Sequence, residues 1–358
     1  MGELFKYPRV PDVEMVRVKA PNTTEDRAYL AKHDLLFARR SLTLEGAGKC
    51  AIVAEVNTPT TWESSIIRAR IDGSKANAVY LYYYFRSPQG RLQMETIVEQ
   101  VAAAGIRLTE LAKLDVPTPP LQEQQAIAEV LGALDDKIAA NTTLATTADE
   151  LVRAEYAALE GDVVRIGDIA GSPRSGVNPT SVDPNGLYVG LEHLERRHMW
   201  LSRGGRAKDV SSSKSEFQAG DVLFGKLRPY FHKVVGAPEP GICSTDVLVV
   251  RARDERLSSV LLAGLSSDAV IEEVVARSEG TRMPRTNWKD LASVEIRWPR
   301  ADRALLVASR LDSIGAAALA AVAENRTLAR TRDTLLPHLI SGKLRVSDAE
   351  AAASEAGA

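Results

Sequence analysis

The sequence predicts an α+β fold built as a pseudo-two-fold internal repeat, in which two strand-rich mixed α/β domains alternate with two long helices. Three observations predict it. Blocks of sequence recur in order after about 180 residues, short strand-like runs bounded by Gly, Pro and Ser fill each copy, and a long amphipathic stretch closes each copy. A period that long is too great for a solenoid and means a duplicated domain plus helix.

The repeat is carried by three blocks. Asp34-Leu35-Leu36-Phe37-Ala38-Arg39-Arg40 matches Asp221-Val222-Leu223-Phe224-Gly225-Lys226-Leu227-Arg228, and the run from Glu63 to Arg70 matches the run from Ser244 to Arg253. Leu111 to Val116 corresponds to Leu291 to Ile296, each followed by a proline, Pro119 or Pro299. Strands are expected at Val163–Ile166, Gly220–Phe224 and Asp246–Val250. Helices are expected at Val79–Phe85, Gln89–Ala104 and Ser258–Ser278, where apolar residues recur at three- and four-residue steps. The first copy reads as N-terminally short, with about 35 residues before Leu36-Phe37 against about sixty between Val163 and Leu223-Phe224; two readings are open, a start placed too late or a naturally shortened first domain.

The central helix opens at Pro119-Pro120, since the fixed φ and missing N–H of proline suit a first helical turn. Its apolar seam runs through Ile127, Leu131, Leu134, Ile138 and Asn141. The C-terminal helix carries Leu311, Ile314, Val322, Asn325 and Leu336, and stops at Ser341-Gly342. Both have coiled-coil spacing, so each is the natural partner of the other, with one asparagine per seam to set register. The alternative is that each helix covers its own domain. The expected divisions are residues 1–118, first domain; 119–160, central helix; 161–298, second domain; 299–345, C-terminal helix; and 346–358, a disordered tail.

The composition is that of a globular protein, 45% hydrophobic and 26% charged, and charges break up its apolar runs. With no signal-peptide pattern at Met1–Lys6, the expectation is a cytoplasmic protein without membrane association. Cys50 and Cys243 lack metal-site or disulfide spacing and read as reduced thiols. Net charge is −2, but Lys plus Arg exceed Asp plus Glu by 16 to 14 in residues 1–120 and by 20 to 17 in residues 163–300. The acidic excess sits in residues 121–162, 2 against 9, so both domains are mildly basic and permit nucleic-acid binding.

Enzyme motifs are missing. Asn178-Pro179-Thr180-Ser181 does not supply the Asn/Asp-Pro-Pro-aromatic loop of an amino-methyltransferase, and Gly46-Ala47-Gly48-Lys49-Cys50 resembles a phosphate loop only superficially. Histidines 33, 193 and 338 have no metal-ligand neighbours in sequence, so no metal site is expected.

Pro117 to Ala128, running into Leu134-Asp135-Asp136-Lys137-Ile138, resembles the helix opening of type I restriction-modification specificity subunits. Thr331 to Arg345 resembles the closing segment of that family, and Gly220–Phe224 with Gly280-Thr281-Arg282 resembles pieces of its target recognition domains. The resemblance implies two target recognition domains held apart by two antiparallel coiled-coil helices, each reading one half of a split, asymmetric double-stranded DNA site. It implies a non-catalytic subunit of a phage-defence complex that docks two modification (methyltransferase) subunits and, through them, restriction/translocase subunits. S-adenosylmethionine would belong to the modification subunits, leaving this chain without a cofactor. The rival reading is a coiled-coil interaction scaffold that reads no DNA.

Candidate DNA contacts are basic residues beside polar or aromatic ones on expected loops. In the second copy these are Lys226, Arg228, Tyr230, His232 and Lys233, then Arg282, Arg285, Asn287 and Lys289, with Asn287 able to bond adenine. Arg39, Arg40, Arg107 and Thr109 are the matching residues in the first copy. Arg196-Arg197-His198 reads as a charged exposed turn, with a phosphate contact as the alternative.

Overall fold

Helices of 37 and 40 residues, Leu121–Ala157 and Ala301–Ile340, form where the two seams are expected. The computed structural model describes residues 1–19, 26–100, 103–173, 175–278 and 283–357. It divides into a first unit, Met1–Lys137 with Leu328–Ala358, and a second, Ile138–Thr327, so each long helix contributes a part to each unit. The protein is α+β throughout, with mixed strand and helix domains joined by the two antiparallel helices.

The second unit contains a four-stranded sheet in the order Val234–Gly236, Val222–Gly225, Val247–Ala252, Ala170–Gly171. Val222, Phe224, Leu248 and Val250 face one core, together with Val260, Leu261 and Leu265 and with helix residues Val152, Tyr156, Ala308 and Leu311. Leu223, Val235, Val247 and Val249, on the opposite face, are covered by a second, five-stranded sheet that includes Leu187–Val189, Lys214–Phe217 and Gly241–Cys243. This alternation explains why the strands read as continuous apolar runs: both faces are buried.

The first unit repeats this frame almost bond for bond. Leu35–Ala38 is flanked antiparallel by Cys50–Val53 and Ile66–Ala69, as Val222–Gly225 is by Val234–Gly236 and Val247–Ala252. Ahead of the central strand, His33 at φ 69° stands where the second unit has Gly220 at φ 85°. The His33 and Gly220 amides donate to the carbonyls of Val53 and Ala237. The next residue in each unit is a buried aspartate, Asp34 or Asp221, clasped by an arginine: Arg70 at 2.8 Å through two nitrogens, or Arg251 at 2.7 Å through two nitrogens. Arg70 therefore corresponds to Arg251, which fixes a register that the sequence blocks, of unequal length, left open.

The difference is as informative as the match. Among the described residues of the first unit, no sheet corresponds to the five-stranded sheet of the second. Leu4, Val10, Leu36, Ala51 and Val53 instead cluster beneath a cavity of about 940 Å³ lined also by Met15, Leu30 and Trp62. Residues 112–118 likewise lack the strand formed by Glu295–Pro299, whose partner is Gly161–Arg165.

The helices pack both on each other and on the domains, so the two expectations hold together. In the first unit Ile127, Leu131, Leu134 and Leu336 are buried, and Asp135 accepts from Tyr83 at 2.8 Å and from Arg332 at 2.6 Å. In the second, Leu311 is buried and Ile314 and Val322 pack on the core. Asn141 donates to Glu324 at 2.6 Å, and Asn325 donates to the carbonyl of half-buried Ile138 and to the Thr142 hydroxyl, both at 3.2 Å. Each seam asparagine thus bonds across to the opposite helix.

Three expectations are corrected. The helix expected over Gln89–Ala104 ends at Glu95, and Glu99–Gln100 and Ala104–Gly105 pair as strands, because the β-branched run at Thr96-Ile97-Val98 disfavours helix and Arg40–Ser41 offers a pairing edge. The tail expected to be disordered forms the helix Val346–Ala356, favoured by its alanines and by Asp348 in the first turn. Charges do not interrupt every apolar run: by length and composition alone, Ala301–Ile340 could cross a membrane, with an 18-residue window of mean hydropathy 1.6. Alanines dominate that helix, and Leu311, Ala318 and Ala321 on it are buried in the protein. Both cysteines are buried free thiols, pushed up to about 12 by burial.

Candidate nucleic-acid interface

In the second unit the central strand Val222–Gly225 runs out into two loops stitched together by backbone bonds. The Lys226 N–H donates to Asp246, the Thr286 N–H donates to Lys226, and the Arg228 N–H donates to Pro284, at 2.8, 3.0 and 2.8 Å. Leu227 and Arg285 form an antiparallel bridge, and the Arg285 guanidinium pairs with Asp246 at 3.0 Å. The chain then turns tightly through Pro229–Phe231, with Arg228 and His232 both left-handed at φ 52° and 51°. Such conformations are costly for residues with a Cβ and persist only where the surroundings hold them.

His232 is one of the anchors. It is buried, its Nε2 lies 2.9 Å from the Ser266 carbonyl, and its Nδ1 is 3.4 Å from Asp268; burial holds its pKa below the usual histidine value. Its carbonyl accepts from the Arg197 N–H at 2.8 Å, and Arg197 clamps Asp268 through two nitrogens at 3.0 Å. These bonds draw Arg196 onto the ring of Phe231, 3.8 Å from its centroid, with Arg228 5.8 Å from the same ring. Tyr230 stacks edge to face with Phe231 and is half exposed, as is Met283.

The structure sorts the sequence candidates. Arg228 and Tyr230 lie on the loop whose Leu227 bridges to Arg285, with exposed Lys289 nearby in sequence. His232 faces inward, which corrects its assignment as a surface contact. Asn287 spends its side-chain oxygen capping the helix Trp288–Ala292, and its amide nitrogen bonds Asp290 at 2.6 Å, so it is a cap and not a free adenine reader. The ammonium groups of Lys226 and Lys233 donate to the carbonyls of Thr245 and Leu191, both at 2.5 Å, and burial lowers both pKa values. Arg282 lies outside the described residues. The pairing of Arg196 with Phe231 is not legible in the sequence, because it joins positions 35 residues apart through a turn that only the fold defines.

The first unit builds the same pair of loops. The Arg39 N–H donates to Ser65, the Ile106 N–H donates to Arg39, and Arg40 pairs with Gly105, which matches Lys226, Thr286 and the Leu227–Arg285 bridge in turn. Arg39 and Arg40 are exposed, Thr109 is exposed, and Arg107 pairs with Glu99 at 2.7 Å. The loop itself carries Leu42, 98% exposed, and Leu44 where the second unit has arginine and aromatic residues.

A frame of this kind, an aspartate-anchored sheet displaying paired loops with basic residues, occurs in both units. Residues 11–148 match the family model of the type I restriction modification DNA specificity domain. A 121-residue stretch is 25% identical to the type I restriction enzyme EcoDI specificity subunit of Escherichia coli, covering 32% of this chain and 26% of that protein's length. The S subunit of a type I restriction-modification system from M. genitalium is a structural match at a TM-score of 0.50, with 15% identity over 86% of this chain and 83% of that one. The HsdS subunit from Thermoanaerobacter tengcongensis, at 18% identity over 90% and 84% of the two chains, gives a TM-score of 0.32. Residues 11–148 thus resemble a type I restriction modification DNA specificity domain, and the chain spans about a quarter of the length of the curated relative it matches.

Proposed function

We propose that this protein is the non-catalytic subunit that gives a type I restriction-modification complex its DNA sequence specificity. Each unit contacts one half of a bipartite, asymmetric duplex site through its paired loops. The long helices dock two modification subunits and, through them, restriction/translocase subunits, and S-adenosylmethionine is bound by the modification subunits. The observation that carries this reading is the repetition of one loop frame with different side chains: Arg39, Arg40, Arg107 and Thr109 on one, Arg196, Arg228, Tyr230 and Arg285 on the other. Two similar but unlike readers in one chain suit two unlike half-sites at fixed separation. Loops that place basic groups beside aromatic and hydroxyl groups provide both phosphate and base-edge contacts.

The test is methylation mapping of host DNA with and without this chain, in the presence of an active modification subunit. A split adenine-methylated motif that disappears when the chain is deleted is the expected outcome. Unchanged methylation would overturn the reading and favour a scaffold that reads no DNA.

A further inference from the structure

Arg196 is set apart from the other cations around it. Arg197 is committed to Asp268, Lys233 to the Leu191 carbonyl, and Arg285 to Asp246. Arg196 is exposed, no carboxylate among the described residues lies within ion-pair distance of it, and its guanidinium carbon lies 3.8 Å from the centre of the Phe231 ring. A guanidinium on an aromatic face keeps its in-plane N–H groups free, and the stack fixes the plane in which they point. The turns on either side are held in place, by left-handed Arg197 next to Arg196 and by left-handed Arg228 and His232 around Phe231. Little conformational freedom therefore remains to be lost on binding. Arg228 reaches the same ring at 5.8 Å, and its Nε is buried without a hydrogen-bond partner. Two like charges over one ring repel, and an anion or an acceptor-rich edge relieves that repulsion.

We propose that Arg196, held on Phe231, reads a guanine in the half-site contacted by the second unit; this rests on the DNA-reading function proposed above. A fixed guanidinium fork matches the two acceptors of guanine, O6 and N7. Adenine presents one acceptor and one donor at the corresponding edge, leaving one N–H of the fork unpaired. In the first unit Ser41 stands in the register position of Arg228, and the loop beyond it carries Leu42 and Leu44 and no aromatic residue, so the guanine requirement belongs to one half-site only.

The experiment is selection of bound duplexes from a library randomised across the site, using the full chain assembled with its modification subunits. The unchanged chain is compared with Arg196→Ala, Arg196→Lys and Phe231→Leu, and with a selected duplex carrying 7-deazaguanine at the invariant guanine. Arg196→Ala is expected to lower discrimination at one guanine of one half-site by about tenfold to a hundredfold while other positions stay selected. Arg196→Lys, which keeps the charge but not the fork, should lose most of the same discrimination. Phe231→Leu should lose part of it, and the 7-deazaguanine duplex should bind the unchanged chain more weakly than it binds Arg196→Ala relative to guanine. Equal weakening on every sequence, with guanine still selected, would make Arg196 a phosphate contact and overturn the inference while leaving the proposed function intact. Full discrimination in Phe231→Leu would overturn the stacking argument. An unchanged chain that selects no motif at all would overturn the proposed function itself.

Discussion

Replacing Arg251 with Met is expected to destabilise the second unit by about 2–3 kcal/mol, and the structure sets that figure. Asp221 is 1% exposed and its carboxylate is served by two Arg251 nitrogens and the Gln218 N–H, all at 2.7 Å. Removing one partner of a buried pair leaves an uncompensated charge and costs about 3–5 kcal/mol. The Arg251 side chain is 30% exposed, so water can reach the vacated place, and Met preserves the packing of the stem; both put the cost at or below the lower end. Urea unfolding followed by tryptophan fluorescence reads it, because Trp200, Trp288 and Trp298 all lie in the second unit. The double variant Asp221→Leu with Arg251→Met removes the stranded charge and should recover much of the loss. A cost below about 0.5 kcal/mol would refute the reasoning and reduce the clasp to a surface ion pair. A double variant no more stable than the single one would show that packing, not charge, was lost.

The other predictions concern the same frame and its helices. His33→Gly relieves a left-handed residue at the position where the second unit has Gly220, and should stabilise the first unit by about 0.5–1 kcal/mol, read as a higher urea midpoint; no gain would mean that His33 makes compensating contacts. Acid should weaken the first unit: burial alone would raise the Asp34 carboxyl, but Arg70 and the Ala31 N–H hold it below its usual value, so its stabilisation is lost as pH falls through that lowered pKa. Arg70→Met should remove most of this acid sensitivity in a pH series of unfolding curves. In the second unit the hydrogen bond to Asp149 raises the pKa of His198 against the effect of burial, so its contribution is complete below about 6.5 and fades as pH rises through the raised value. His198→Gln should flatten that alkaline arm, and an unchanged arm would exclude the pair as its source. Gly315 lies where an added Cβ would be 3.2 Å from the Trp200 ring, which is itself fixed by donation to the Ala145 carbonyl at 3.1 Å. Gly315→Val should therefore cost about 1–3 kcal/mol in thermal unfolding, and a neutral result would show that Trp200 can move aside.

The elements most legible in the sequence were those whose signal is local or periodic. The long helices followed from apolar spacing, the C-terminal stop from Gly342, which adopts φ +68°, and the central strands from apolar runs after an aspartate. The repeat was visible because the sheet frame constrains the same positions twice: a left-handed residue, a buried carboxylate, an apolar strand and a distant arginine. What was not legible depends on partners far away in the chain. Glu99–Gln100 pairs with Ala104–Gly105 because that strand also meets Arg40–Ser41, and no local pattern announces it. Asn287 looked like a base reader because nothing in its neighbours distinguishes an exposed amide from a helix cap until Asp290 folds back on it. His232 looked exposed beside Tyr230 because a tight turn sends consecutive side chains in opposite directions.

The proposed asymmetry of the DNA site has a physical basis in which bonds the two units share. The bonds that locate the loops are made almost wholly by the backbone: Arg39 to Ser65 and Ile106 to Arg39 in one unit, Lys226 to Asp246 and Thr286 to Lys226 in the other. Backbone bonds place no demand on side-chain identity, so the frame tolerates Leu42 and Leu44 in one copy and an arginine–aromatic cluster in the other. Each reading loop can then change what it contacts without disturbing the sheet beneath it. The groups that cannot change are those the sheet uses, Asp34 with Arg70 and Asp221 with Arg251. Exchanging the side chains of one loop for those of the other should consequently alter selectivity more than stability, whereas changing either aspartate should do the reverse.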